Sequence, residues 1–295
     1  MIYLQSLIDG VLLGGVYSTI AVGLSLAFGV MGIINWAHGE MLMVSMFLSY
    51  FLIKALGMDP YLTMFVNVVV MFALGYLLQK YVFSTILKKD KEPQPISVLI
   101  ATTGIGMILI SVGTMLFGSN AMAASTQYTG KTIWVGDIVF SIPRTISFVI
   151  AIAATIGLYF LLQKTEVGRA LRATAENRHV AKLMGINTDI LYNIAFGLSL
   201  ALVGIAAALL IPNFAVYPKV GGSYALKSFV IVLLGGKGNV IGALVGGFAI
   251  GIIERLGAVM WTESYALMLV FILFIIVLLV MPEGIFSFKL RRKKA

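Results

Sequence analysis

Few residues in this 295-residue chain are equipped for chemistry. It has two histidines, His38 and His179, twelve Asp and Glu residues, and no cysteine. The missing thiols exclude a disulfide framework, a Cys-ligated zinc or iron–sulfur site and a thiol nucleophile. The histidines lie on separate segments with no metal-binding or catalytic constellation around them, which argues against an enzyme. No G-x-x-x-x-G-K-[ST] phosphate loop occurs either: Gly235-Gly236-Lys237-Gly238 has the wrong spacing and an apolar context. The remaining polar residues collect in three places. These are Asn35-Trp36-Ala37-His38-Gly39-Glu40, the mixed-charge stretch from Glu166 to Asn187, and Gly235-Gly236-Lys237-Gly238-Asn239.

The elements that must position these residues are hydrophobic. Apolar residues make up 60% of the chain and charged residues only 11%, with a mean hydropathy of +1.02. Ordinary globular chains are about 45–50% apolar and about 25% charged, so the excess faces a bilayer. Soluble enzymes and nucleic-acid binders are disfavoured, and the net charge of +9 reports membrane orientation rather than a polyanion partner. The predicted fold is all-α, a polytopic transmembrane bundle forming a single domain over 1–295. Spans are expected at 4–28, 40–56, 61–84, 96–117, 144–162, 190–211, 241–253 and 265–280, with a short or re-entrant helix at 226–234. That makes about eight full spans plus one short one, since a crossing takes about 20 residues. The N-terminus lacks a basic region and a cleavage site, so the first apolar stretch is expected to be a retained span.

Basic residues are retained on the cytoplasmic side. They cluster at Lys88, Lys89 and Lys91; at Lys164, Arg169, Arg172, Arg178 and Lys182; and at Lys289, Arg291, Arg292, Lys293 and Lys294. Placing all three inside puts the C-terminus in the cytoplasm and the N-terminus outside, with loops 119–143 and 213–223 outside. Glu254, Arg255 and Glu263 are expected outside as well. Gly10-xxx-Gly14, Gly242-xxx-Gly246 and Gly247-xxx-Gly251 predict close helix packing.

Two interruptions break the apolar pattern. Asn35, His38 and Glu40 should face protein or water rather than lipid. They fit either a polar turn at the membrane surface with Trp36 as an anchor, or a broken helix beside a translocation route. The run Gly235-Gly236-Lys237-Gly238-Asn239 cannot hold a helix and reads as a tight hairpin or as a hinge. With Asn213, the residues Asn35, His38, Glu40, Gly235, Gly236, Gly238 and Asn239 are the candidates for a translocation path.

Segment 164–189 differs from the rest. Ala170, Ala173, Ala175 and Ala181 favour one helix of about 15 residues, with Gly185 as its C-terminal stop and Asn187 or Thr188 capping the next span. In sequence it resembles the coupling loop of ABC importer permeases. Gly168, Ala170, Leu171, Arg172, Ala173, Asn177, Ala181, Gly185, Ile186 and Asn187 match the form seen in the LivH-like permeases of branched-chain amino-acid importers. Gly14-Gly15-Val16-Tyr17, Asn35 to Glu40, and Leu234 to Ala243 are similar to that family too, so the likeness covers essentially the whole chain. Lys237 departs from the pattern, which has a small or apolar residue there.

The resemblance implies a subunit that conducts an aliphatic amino acid across a prokaryotic inner membrane and hydrolyses nothing itself. It implies no cofactor in this chain, with ATP and Mg held by two cytoplasmic ATPase subunits. Gly168, Arg169, Arg172, Ala173, Glu176, Asn177, Arg178, Ala181 and Gly185 would engage them. A second homologous permease, an extracytoplasmic substrate-binding protein and the lipid bilayer complete the expected partners. Urea or short amides on the same scaffold, and an ion-coupled secondary carrier, are the competing readings. A carrier calls for acidic residues deep in the spans.

Overall fold

The computed structural model describes residues 2–89, 96–280 and 284; Lys91 and the C-terminal basic cluster lie outside them. The helices are α1 (Ile2–Met31), α2 (His38–Leu56), α3 (Thr63–Leu78), α4 (Ser84–Lys89), α5 (Ile96–Phe117), α6 (Ile142–Lys164), α7 (Glu166–Glu176), α8 (Arg178–Leu183), α9 (Thr188–Leu210), α10 (Val220–Gly235), α11 (Val240–Met260) and α12 (Glu263–Val280). One π-helical turn, Gln79–Phe83, joins α3 to α4. All nine expected apolar helices are present. Seven are long and apolar enough to cross a bilayer, while α10 and the Met268–Val280 part of α12 are shorter. The short helix begins at Val220 rather than at 226.

The helix α1 runs through the centre, with its 18-residue most apolar window 89% buried. Lipid is as apolar as leucine, so helix association here depends on close backbone approach and on polar contacts between helices. Both are present. Gly10 and Gly14 of α1 lie against Gly251 and Gly247 of α11, with no room between the backbones for a Cβ. Asn67 of α3 donates to Ser45 O on α2, to Ser49 Oγ on α2 and to Gly204 O on α9, at 3.3, 2.7 and 3.2 Å. One buried amide thus ties three helices.

Contacts between distant segments define the two ends of the bundle. At one end Gln5 exchanges hydrogen bonds with the backbone of Val139, Arg144 pairs with Asp9 at 2.9 Å, and Met122 bridges Val216. The loop between α5 and α6 there contains an antiparallel hairpin, β1 (Thr132–Val135) with β2 (Ile138–Ser141), which the hydropathy pattern does not reveal. Asp59, after α2, accepts from Gln127 and Tyr128, both at 2.8 Å. The opposite end carries α7, α8 and the turn between α10 and α11; the hairpin end is labelled outer and the α7–α8 end inner, after the sidedness expected from the basic residues. The N-terminus and the mixed-charge loop are therefore on opposite faces, as the parity of spans predicts.

Two crossings are discontinuous. His38, the first residue of α2, reaches Ile20 O with its Nε2 at 3.1 Å. Ile20 lies eleven residues before the end of α1, about 16 Å along it at 1.5 Å per residue. The six residues 32–37 cover that rise without regular helix, so α2 starts inside the bundle and runs only to the outer end. The helix α10 starts inside as well and runs the opposite way. The two N-terminal turns pass each other where Gly39 meets Gly221 and Ala225.

Candidate functional site

Residues 35–40 occupy the discontinuity between α1 and α2, the arrangement of the broken-helix reading. Asn35, His38 and Glu40 are all buried. Asn35 Oδ1 accepts from Ala37 N at 3.2 Å, and Trp36 N donates to Thr102 Oγ1 of α5 at 3.3 Å. Glu40 lies in the first turn of α2, where its charge complements the positive end of the helix dipole. Trp36 lies tilted against Phe229 of α10, ring centres 4.9 Å apart, an inter-helix contact made by a half-exposed ring.

The glycine-rich interruption belongs elsewhere. Gly235 is pressed against Gly242 across the α10–α11 turn, and Gly238 against Gly29 at the inner end of α1. Asn239 caps α11 by accepting from Gly242 N at 3.0 Å. Lys237 is exposed with its Nζ 5.1 Å from the centre of the Phe28 ring, so the departure from the family pattern fits without burying a charge. Of the two readings of this run, the structure has the tight hairpin. Asn213 sits far from it, at the outer end of α9, reaching Leu209 O at 3.5 Å. The proposed path residues are therefore distributed over three levels and do not form one cluster.

The mixed-charge loop is two helices, not one of about 15 residues. Thr165 caps α7 through Gly168 N at 3.0 Å. Asn177 ends α7 in extended backbone, φ −154° and ψ 104°, and caps α8 by accepting from His179 N and Val180 N at 3.0 and 3.1 Å. The asparagine's preference for the N-cap outweighs the helix propensity of the alanines around it. Gly185 follows α8 with φ +81°, a left-handed conformation that stops a helix, and Asn187 caps α9 through Ile190 N at 3.2 Å.

The charged side chains of this loop have different environments. Arg169 is exposed and loosely paired with Glu166 at 3.6 Å. Arg172 is exposed but its guanidinium donates to Leu162 O at the end of α6. Arg178 turns inward to Asp189 at 3.1 Å and over the Tyr192 ring, which leaves it as a strut between α8 and α9. Ala173, Glu176 and Asn177 are exposed, while Gly168 and Ala181 are buried. Two residues not anticipated stand out: Leu183 and Met184 are 74% and 77% exposed, an apolar tip on an otherwise polar loop. A cavity of about 330 Å3 between α7 and the bundle is lined by Arg172 and Glu176 together with Gly29, Lys237 and Gly238. It brings the mixed-charge loop and the glycine turn together at one end of α1.

A second cavity, about 350 Å3, opens in the outer half between α1, α10, α11 and the segment before α10. Lys227 and Glu254 form an ion pair at 2.8 Å there, their side chains 12% and 21% exposed. The Tyr17 hydroxyl donates to Glu254 Oε1 at 3.2 Å and accepts from Lys227 at 3.0 Å. Glu254 and Arg255, expected on the outer side, lie in the last third of α11 and are half-buried. The α11 helix continues to Met260, further than the apolar run that ends at 253, and Glu254 within that extension is paired with Lys227 of α10. Lys227 within an apolar helix was the sequence signal for this site, since an intramembrane charge marks function by default.

A polytopic helical bundle with discontinuous crossings, a capped two-helix loop on one face and a charged cleft facing the other has the architecture of a transport permease. The family described as "Branched-chain amino acid transport system / permease component" matches residues 6–278, and the chain belongs to it. It is 31% identical over 96% of its length, and 95% of the relative's, to the high-affinity branched-chain amino acid transport system permease protein LivH of Escherichia coli K12. It is 30% identical, with the same coverage, to BraD of Pseudomonas aeruginosa, which carries the same description. A probable LivH of Methanocaldococcus jannaschii is 31% identical over 90% of this chain and 87% of its own.

Proposed function

We propose that this chain is the membrane-spanning subunit of an ATP-driven importer of branched-chain amino acids in a prokaryotic inner membrane, with its C-terminus in the cytoplasm. The observation that carries the coupling role is the α7–α8 loop. It is held to the bundle by Arg172 and Arg178 yet presents Leu183 and Met184 to solvent. Such an apolar tip fits a groove on a cytoplasmic ATPase, with Arg169, Ala173, Glu176 and Asn177 as the polar rim and Gly168, Ala181 and Gly185 shaping the loop. ATP and Mg would be bound by two such subunits, and this chain would hold no cofactor. An extracytoplasmic binding protein would deliver the amino acid to the hairpin end, and a second permease would complete the pore. Asn35, His38, Glu40 and Asn213 would flank the route, while Gly235, Gly236, Gly238 and Asn239 would transmit movement of α7 to α10 and α11 through the shared inner cavity.

Affinity purification in mild detergent tests this directly. Recovery of an ATPase and a second permease, with leucine uptake abolished by ATP depletion, is the expected result. Recovery of the chain alone, with uptake abolished by a protonophore, would favour a secondary carrier. Sidedness is tested in this cysteine-free chain by placing a cysteine at Lys182. In intact cells it is expected to react with a permeant maleimide only; reaction with an impermeant one would invert the topology.

A further inference from the structure

The outer cleft holds charge that helix packing does not require. Besides the Lys227–Glu254 pair, Glu254 Oε2 and Arg255 Nε are buried without a hydrogen-bond partner among the described residues. A buried ion pair contributes little net stability compared with apolar residues of the same shape. Ionisable groups inside a bundle instead mark solute pathways.

Resting on the importer reading above, we propose that this cleft is the permease's own recognition site for the zwitterionic head of an α-amino acid, which enters by exchange with the internal ion pair. Lys227 and Arg255 take the α-carboxylate, and Glu254 takes the α-ammonium with the Tyr17 hydroxyl as a second acceptor. A zwitterion adds no net charge, so the exchange strands neither Lys227 nor Glu254. An amine or a carboxylate alone would leave one of them buried and unpaired. The rings of Tyr17 and Tyr224 already face a cation, with Lys227 Nζ at 4.8 and 5.8 Å from their centres, and suit an ammonium equally. Phe214, Val220 and Ala258 line the same cavity and offer an apolar wall to an aliphatic side chain. Its 350 Å3 lies at the small end of the range of about 300–1,000 Å3 for small-molecule sites.

The test uses the importer assembled with its ATPase, with binding protein added only for the uptake measurements. Ser223, exposed at the rim of the cavity, is replaced by cysteine, and maleimide labelling of this subunit is followed without binding protein. Millimolar leucine is expected to protect Cys at Ser223, while 3-methylbutylamine and 4-methylpentanoate, each lacking one charge, are not. Equal labelling with and without leucine overturns the site, whether or not the assembly transports leucine. In uptake, the double exchange Lys227→Glu with Glu254→Lys, which keeps a pair but reverses it, is expected to lose at least about tenfold, as is Arg255→Gln. Restoration by the exchange to within about twofold of the unaltered protein would make the pair a strut and overturn the proposal. If the exchanged protein fails to assemble, Arg255→Gln and the labelling decide. Absence of leucine uptake by the unaltered assembly would sink the importer reading, and labelling would still decide the site.

Discussion

Replacing Gly221 with leucine is expected to abolish folded, detergent-stable protein, whereas Gly222→Ala, at the next residue, is expected to be neutral or mildly stabilising. The two glycines differ only in what surrounds them. A Cβ on Gly221 would overlap the Gly39 carbonyl and approach Glu40 N at 2.8 Å, while one on Gly222 meets nothing within 4 Å. Overpacking a well-packed site costs about 1–3 kcal/mol even where side chains can yield. Here the obstacle is the backbone of α2 at its first turn, which cannot move without pulling His38 from Ile20 O. At Gly222 the replacement gains helix propensity of about 1 kcal/mol. Thermal melting followed by size-exclusion chromatography separates the cases. An unchanged melting profile for Gly221→Leu would mean that α2 and α10 do not cross there.

The second large effect is expected at Gly168. Here α7 folds back against the end of α6 so closely that a Cβ would overlap the carbonyls of Leu161 and Leu162, the latter also the acceptor for Arg172. Gly168→Val should prise α7 from the bundle, leaving the spans inserted but the exposed tip at Leu183 and Met184 misplaced. Loss of ATPase copurification and of leucine uptake, with normal membrane yield, is the expected result. Gly157→Ala serves as the control, because its Cβ would meet nothing within 4 Å. Full uptake by Gly168→Val would show that the position of α7 does not matter for coupling.

Both effects trace to glycines whose meaning differed in legibility. Gly185 and Asn187 belong to a local pattern of stop and cap, so the end of the loop could be read directly, whereas Gly168 was legible only through the family resemblance and the Thr165 cap was not read. The break at Asn177 was legible in principle, since asparagine prefers the N-cap, but an alanine-rich run favours continuation and obscures it. Gly39 and Gly221 carry no such local signal. Their partnership spans 182 residues of chain (221 minus 39), and each alone reads only as a small residue near a helix start.

The charged cleft teaches the same lesson through electrostatics. Glu254 looks like a span-end residue because the apolar run stops at 253, and Lys227 interrupts an otherwise apolar helix without an apparent partner. Only the packing of α10 on α11 and α1 places the two at 2.8 Å under the Tyr17 hydroxyl. Glu254 is thus an acidic residue within α11 whose partner, Lys227, is supplied by α10.

The sequence by itself determined the apolar surroundings, the all-helical class, the approximate spans, the placement of the mixed-charge loop opposite the N-terminus and the family. Each of these depends on composition or on local spacing, because a helix in lipid must satisfy its own backbone and so announces itself by length and hydropathy. The tertiary structure alone decided that α2 and α10 begin inside the bundle, that the glycine run is a hairpin at the inner end, and that Lys227 meets Glu254. Those depend on which helix faces approach one another, and in a bilayer that choice depends on backbone proximity and non-local polar partners rather than on the hydrophobic pattern along the chain.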